Sequence, residues 1–386
     1  MLAMTYRGPY RVRIDEKPTP ELEHPNDALV RVTRSCICGS DLHLYHGLMP
    51  DTRIGHTFGH EFTGVVEAVG ASVQSLTVGD RVLVPFNISC GTCFFCRRQQ
   101  YANCHDTNPY ATISSGIFGY SHTAGGYDGG QAEYVRVPFA DVGPMKIPDD
   151  IDLDDAVLCT DVFPTGYQAA EMGEIKEGDT VLVFGAGPVG LLAAKSAWLL
   201  GAGRVIVTDH LDYRLEFAER FAEVETVNFL DHKDPILQFK RMTDQLGADV
   251  CIDAVGAEAD GSTLQKISGV RMKLQAGAAT ALHWAINSVR KNGVVSVVGV
   301  YGPTFNLVPM GSILNKGITL RANQCSVKRY LPRLIEHIRA GRIQPKQIIT
   351  HRMPLEEIAD AYHRFSSKLD ECIKIVLIPP KAEVLH

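Results

Sequence analysis

Along the chain, hydrophobic positions gather into short runs separated by glycine, proline and charged residues. Val181-Leu182-Val183-Phe184 is one such run, with the length and branched character of a strand buried on both faces. A glycine-rich turn follows it, and Leu191 to Leu200 then reads as a helix. Further runs at Val205–Thr208, Val250–Ala254 and Val294–Gly299 predict more strands of the same parallel sheet, so this half of the chain is expected to be doubly wound α/β. The longest uncharged apolar stretch, Val181–Ala194, is too short to cross a bilayer and is broken by Gly185, Gly187, Pro188 and Gly190. Met1 to Pro9 has no apolar core of signal-peptide length, which points to a cytoplasmic protein without a transmembrane segment.

A chain of 386 residues exceeds what one hydrophobic core usually serves, so two domains are expected. Lys and Arg total 38 against 44 Asp and Glu, and the net charge of -6 gives no electrostatic reason to bind nucleic acid or an acidic membrane. The partners this leaves are small molecules. Ten cysteines, several of them clustered, point to metal rather than to a disulfide framework.

Cys90, Cys93, Cys96 and Cys104 are spaced C-x2-C-x2-C-x7-C, which suits one closed tetrahedral zinc. A cubane iron-sulfur cluster and a nucleic-acid-binding zinc ribbon are the competing readings. A second set is dispersed: Cys38 to His43, Gly59-His60-Glu61 and Cys159-Thr160-Asp161. Each piece alone is weak, because a lone buried cysteine is ordinarily a small hydrophobe and a lone histidine a satisfied polar group.

The turn after the Val181 strand is Gly185-Ala186-Gly187-Pro188-Val189-Gly190, a G-x-G-x-x-G in a strand-turn-helix setting. Gly185 permits the turn, Gly187 lets backbone approach a pyrophosphate at the helix N-terminus, and Gly190 lets helix and strand pack closely. Asp209 closes the next strand, about 20 residues on, where an acid can accept from both adenine-ribose hydroxyls. Its charge would repel a 2'-phosphate, so NAD is preferred to NADP, with His210 and Arg214 nearby as complicating cations.

With these motifs in place, the sequence resembles the zinc-dependent medium-chain alcohol dehydrogenases over nearly its whole length. The matching segments are Cys38–His43, Gly59-His60-Glu61, Gly79-Asp80-Arg81-Val82, Cys90–Cys104, Thr165-Gly166-Tyr167 and Gly185–Gly190. Cys36–His43, Gly129–Val135 and Asp161–Gly166 are most similar to a formaldehyde dehydrogenase-like branch, which has an aspartate at the third metal-ligand position. The resemblance implies a GroES-like β-barrel catalytic domain over 1–161 with the zinc lobe at 90–104, a Rossmann NAD-binding domain over 162–321, and a return to the catalytic domain over 322–386. The active site is expected in the cleft. A segment around 258–275 reads as a loop insertion.

The same resemblance implies two zinc ions per chain. Cys38, His60 and Asp161 would hold the catalytic one, with Cys159 as rival to Asp161, and the four clustered cysteines would hold the structural one. Ser40 would take the alcohol proton and pass it through the nicotinamide ribose to His43 for release, while Glu61 would stand beside the zinc or ligate it transiently. Thr165 and Val189 would flank the nicotinamide, Gly185, Gly187, Pro188, Gly190, Asp209 and Arg214 would hold the rest of the cofactor, and Phe86 would line the substrate pocket. Gly39 stands where many relatives have a basic residue. The implied activity is reversible oxidation of an alcohol to an aldehyde or ketone with NAD. Glutathione-independent formaldehyde dehydrogenase or dismutase activity on tightly bound NAD is one alternative, and a non-catalytic NAD- and zinc-binding module is another. A homo-oligomer is expected, a tetramer in preference to a dimer. His46 and His56 read as exposed, His122 as part of a flexible loop, and Lys381–His386 as a frayed end.

Overall fold

The computed structural model describes residues 1–110, 114–255, 279–301 and 308–383. The predicted insertion at 258–275 lies outside the described residues. The chain divides into two compact units, Met1–Pro164 with Ser326–His386, and Thr165–Cys325.

The second unit is built on six parallel strands: β1 (Thr180–Phe184), β2 (Arg204–Asp209), β3 (Glu225–Asn228), β4 (Ala248–Asp253), β5 (Val289–Val297) and β6 (Thr319–Ala322). Their spatial order is β3-β2-β1-β4-β5-β6, the doubly wound arrangement in which the order reverses beside β1. β1, β2 and β4 are buried nearly throughout, which is why they read as continuous apolar runs. Leu182, Phe184, Ile206, Cys251 and Val295 pack one core with Ala285 and Ile286 of the helix Thr280–Ser288.

Two boundaries differ from the sequence expectation. The helix after β1 starts at Pro188 rather than Leu191, because proline's missing N–H costs nothing in the first turn, where amides have no helical partner. β5 starts at Val289, which pairs with Ala248. The chain then bulges through Arg290–Asn292 and rejoins the ladder at Val294 opposite Val250.

The first unit holds a seven-stranded sheet. Along its main path run His351–Pro354, Ile375–Ile378, Ala28–Ile37, Phe62–Val69, Arg81–Val84 and Met145–Lys146, and Tyr134–Val137 pairs with Ala28–Ile37. All its pairs are antiparallel except the first. The strand Ile375–Ile378 thus brings the C-terminal segment back beside the strand that leads into Cys38. One core, with Val30, Phe62, Val66, Val82 and Phe118, fills one side of this sheet. A second, with Phe58, Leu42, Tyr362, Ile375 and Leu377, lies under the helix Gly39–Tyr45.

One minor expectation, the exposure of His56, is corrected. His56 is buried rather than exposed, because its ring is held by the Tyr120 carbonyl at 2.6 Å and lies 3.2 Å from the Asp128 carboxylate. His122 sits in a short 3-10 turn, its ring tilted against that of His56 with centroids 4.9 Å apart. The chain end holds structure through residue 383, with Pro379 and Ala382 buried and a 3-10 turn over Pro380–Glu383. No helix among the described residues is long and apolar enough to cross a membrane.

Candidate functional site

Cys38 ends the strand Ala28–Ile37 and caps the helix Gly39–Tyr45, whose third residue, Asp41, accepts from the Cys38 amide at 2.9 Å. His60 and Glu61 immediately precede the neighbouring strand Phe62–Val69. They are preceded by Gly59 at φ +99°, where a Cβ would lie 2.5 Å from Gln131 Cγ, so only glycine lets the chain turn there. Asp161 lies in the turn between the helices Leu153–Leu158 and Val162–Met172. Three distant segments therefore meet.

The donor atoms of Cys38, His60, Glu61 and Asp161 lie within 4.8 Å of one another, and all four residues are buried. Asp161 Oδ2 is 3.6 Å from Cys38 Sγ and 3.2 Å from His60 Nε2. A tetrahedral zinc with ordinary ligand bonds spaces sulfur and oxygen about 3.5 Å apart, and nitrogen and oxygen about 3.3 Å. Burial first, then the Glu61 and Asp161 charges, pushes the Cys38 thiol up. Packing a thiol and two carboxyls into one dry site is costly until a cation joins them. The donor set and its spacing thus fit zinc. Cys159 is fully buried but is not among the converging donors.

Around these donors stand residues in definite contacts. Ser40 Oγ is 3.3 Å from His60 Nε2. His60 Nδ1 lies 3.2 Å from Asp41 Oδ1, close enough for an ion pair but without hydrogen-bond geometry, while its Nε2 faces the other donors. Gln131 Nε2 donates to the Cys36 carbonyl and to Asp41, and its Oε1 accepts from Tyr362. Glu61 meets Lys374, whose Nζ is 2.7 Å from Oε1 and 2.6 Å from Oε2, with neither side chain exposed. Burial alone would lower the lysine pKa, but Glu61 and the Cys36 and Cys38 thiols outweigh it and keep Lys374 charged. The Phe86 ring stands edge-on to His60, with centroids 6.0 Å apart. His43 is buried, its Nδ1 3.3 Å from the Tyr120 hydroxyl, and burial, then His46, lowers its pKa to about 4.

Sequence reading missed Asp41, Lys374 and Tyr120. Asp41 left a signal, since an acid three residues past a helix cap reaches back to the cap amide. Lys374 left none: it is 313 residues from Glu61 and pairs with it only through the sheet.

The Cys90, Cys93, Cys96 and Cys104 donors likewise converge within 4.8 Å. Cys90 and Cys96 sulfurs are 4.0 Å apart and Cys93 and Cys104 sulfurs 3.9 Å, against about 3.8 Å for a tetrahedral zinc-thiolate site. The Thr92 and Cys93 amides point at Cys90 Sγ and the Cys90 amide at Cys104 Sγ, donors that favour thiolates. Four protein ligands leave no open position.

In the second unit, Gly185 turns at φ +95°, and a Cβ on Gly190 would sit 1.8 Å from the Gly185 carbonyl oxygen, so the helix start presses directly on the end of β1. Gly187 caps the helix Pro188–Leu199, and Val189 is half-buried in its first turn. Asp209 Oδ2 accepts from the Ala186 amide at 2.8 Å, and Oδ1 accepts from the His210 and Leu211 amides. Burial would raise its pKa, but the His210 bond, the Arg214 charge and these amides bring it to about 2. Lone pairs remain for further donors. Arg214 faces the glycine turn, its Nη1 3.7 Å from where a Gly187 Cβ would be. The half-buried Thr165 lies on a helix whose Gly166 touches the Leu192–Ala193 backbone.

Two family descriptions match this chain: "Alcohol dehydrogenase GroES-like domain" over residues 24–149 and "Zinc-binding dehydrogenase" over residues 188–269. An uncharacterized zinc-type alcohol dehydrogenase-like protein of Bacillus subtilis is 43% identical, covering 98% of this chain and 100% of its own. A glutathione-independent formaldehyde dehydrogenase of Pseudomonas aeruginosa is 36% identical over 77% of this chain and 74% of its own. Among solved structures, the alcohol dehydrogenase TADH from Thermus sp. ATN1 superposes with TM-score 0.85 at 38% identity, over 98% of this chain and 100% of its own. A protein described as a short chain alcohol dehydrogenase from Escherichia coli CFT073, complexed with NADH, superposes with TM-score 0.79 at 26% identity, over 98% of this chain and 99% of its own.

Proposed function

The chain belongs to the zinc-containing medium-chain alcohol dehydrogenase family and is an oxidoreductase of that type, and we propose that it oxidises an alcohol reversibly to the aldehyde or ketone with NAD. The observation that carries this reading is the Ser40 hydroxyl 3.3 Å from His60 Nε2, beside a cluster of buried metal donors. A closed structural site needs no hydroxyl at that place; a site that must remove a proton from a bound alcohol does.

Cys38, His60 and Asp161 would hold the catalytic zinc in this reading, and the four lobe cysteines would hold the structural one. Bound there, zinc lowers the pKa of a coordinated hydroxyl toward neutrality, as it does for water. NAD, held at the glycine turn and Asp209, would supply the hydride acceptor. Ser40 would receive the hydroxyl proton and His43 would take it over, while the Asp41 carboxylate beside His60 Nδ1 would favour Nε2 as the metal-facing nitrogen. Lys374 is ion-paired with the Glu61 carboxylate, which stands among the converging donors. Phe86 gives the substrate an apolar wall. Thr165 and Val189 would position the nicotinamide, the Gly185–Gly190 turn would take the pyrophosphate, and Asp209 would take the adenine ribose and disfavour a 2'-phosphate, with Arg214 beside it.

A second reading, formaldehyde oxidation or dismutation without glutathione on retained NAD, is favoured by the carboxylate of Asp161 among the donors and by the Pseudomonas relative. We further propose a cytoplasmic homo-oligomer, a tetramer before a dimer. The test is to supply metal-analysed protein with NAD and a panel of primary alcohols, secondary alcohols and formaldehyde, with and without glutathione, following the reduced cofactor and the products. Alcohol-dependent reduction of free NAD supports the first reading. Methanol and formate from formaldehyde, with NAD that stays bound, move it to the second, and no turnover with one zinc per chain leaves a binding module.

A further inference from the structure

His43 is placed to take up the alcohol's proton but not to release it, since only 3% of its surface reaches solvent. The Tyr120 hydroxyl lies 3.3 Å from its Nδ1. That is long for a hydrogen bond, as relay contacts are before substrate binds. Tyr120 itself is half-buried. We propose that the Tyr120 hydroxyl completes the proton path, carrying the proton from His43 Nδ1 to water. The inference rests on the Ser40 and His43 roles given above.

The protein invests structure in holding this tyrosine in place. Gly119, just before it, turns at φ +55° and packs so closely that a Cβ would lie 2.5 Å from the Gly59 amide, next to the metal donor His60. The Phe118 amide donates to the Phe86 carbonyl at 3.1 Å and the Gly119 amide to the Tyr127 carbonyl at 2.8 Å. On its other side, the Tyr120 carbonyl is held by His56, whose second nitrogen meets Asp128. Asp128 in turn binds Lys17 Nζ at 2.6 Å and the Thr57 amide at 3.0 Å. The hydroxyl is thus tied to the same backbone that presents His60.

The step balances without a charged intermediate. As His43 gains the substrate's proton on one ring nitrogen, its Nδ1–H bond breaks toward Tyr120 Oη, and the tyrosine's own O–H proton passes to water. One proton enters and one leaves, while the hydride's electron pair goes to NAD. A ring whose pKa is lowered to about 4 suits such a concerted hop, because it does not store the proton as imidazolium. Titratable groups around His43 include Asp41 on its own helix, His46 capping the C-terminus of that helix, His60 from the segment leading into the next strand, and Tyr120.

Wild type, Tyr120→Phe and His43→Gln are compared on the panel alcohol oxidised fastest, across pH and at increasing imidazole buffer, with zinc content and circular dichroism checked for each. Tyr120→Phe should lower the oxidation rate about a hundredfold in dilute buffer, the lower end of what a lost proton-transfer group costs, and concentrated imidazole should restore it. The pH-rate profile should shift, and the ¹⁵N resonances of His43 should move. An unaltered rate, or a fall that imidazole does not repair with no change in pH profile, would overturn the proposal and leave Tyr120 as packing. If His43→Gln also keeps full rate, the relay reading itself is wrong; if no alcohol is oxidised, the proposed function is. Should Tyr120→Phe fail to fold, Tyr120→His, which fills the place and carries a proton, replaces it and should keep most of the rate; a loss that imidazole does not repair counts against the path.

Discussion

Lys374 and Glu61 are both fully buried and face each other at 2.6 to 2.7 Å. Such a pair adds little net stability when whole, because desolvation offsets attraction, but removing one partner strands the other's charge. Lys374→Met should therefore cost about 3–5 kcal/mol. The double variant Lys374→Met, Glu61→Gln should recover much of that, read by denaturant unfolding of zinc-loaded protein. A single-variant loss below about 1 kcal/mol, the scale of an exposed pair, would show that water reaches the site. His43 makes a separate contribution that depends on pH. Its folded pKa of about 4 lies below the usual 6.5, so between those values the unfolded chain binds a proton that the native protein does not. Stability must then rise with pH through that window and fall on acidification, by about 3 kcal/mol in all. His43→Gln should flatten the difference in unfolding free energy between pH 6.5 and 4; an unchanged slope would mean the ring is already hydrated.

At the level of elements, legibility in the sequence followed the range of the forces involved. β1, β2 and β4 are buried on both faces, so their composition alone marked them, and the G-x-G-x-x-G turn was readable because backbone geometry dictates its residues. The start of β5 was not readable, because Val289 belongs to the ladder only through its partner Ala248, across a bulge that local pattern does not reveal. The metal donors were visible as types and spacings, whereas Lys374, Tyr120 and the burial of His56 arise from contacts made by distant segments. The cysteine lobe is the opposite extreme: its two 3-10 turns, Cys96–Arg98 and Tyr101–Asn103, bury little besides the sulfurs and Ala102. With so small a core, metal is what holds the segment together. Cys96→Ser should thus remove one zinc, measured by elemental analysis, and open residues 90–104 to limited proteolysis. A lobe still protected after zinc is stripped by chelator would mean that packing alone sustains it.

For the whole molecule, the second unit carries the argument for an oligomer. β6 is the last strand of its sheet, mostly exposed, and its outer edge has no strand partner among the described residues. An open edge of this kind is a template for pairing unless something covers it. Leu320 on β6 is 39% exposed, and on the neighbouring helix Met310–Lys316 the side chains of Met310 and Leu314 are 64% and 80% exposed. The same edge from a second copy, related by a twofold axis, would pair with it antiparallel and bury these side chains symmetrically, since each copy offers the patch the other needs. Leu314→Asp combined with Leu320→Asp places charges in that seam without touching the metal donors or the glycine turn. Light scattering should then show a species of lower mass than wild type, with zinc content unchanged. If the wild type is already a monomer the oligomer proposal falls, and if the variant keeps the wild-type mass the copies meet elsewhere and the open edge of β6 requires a different cover.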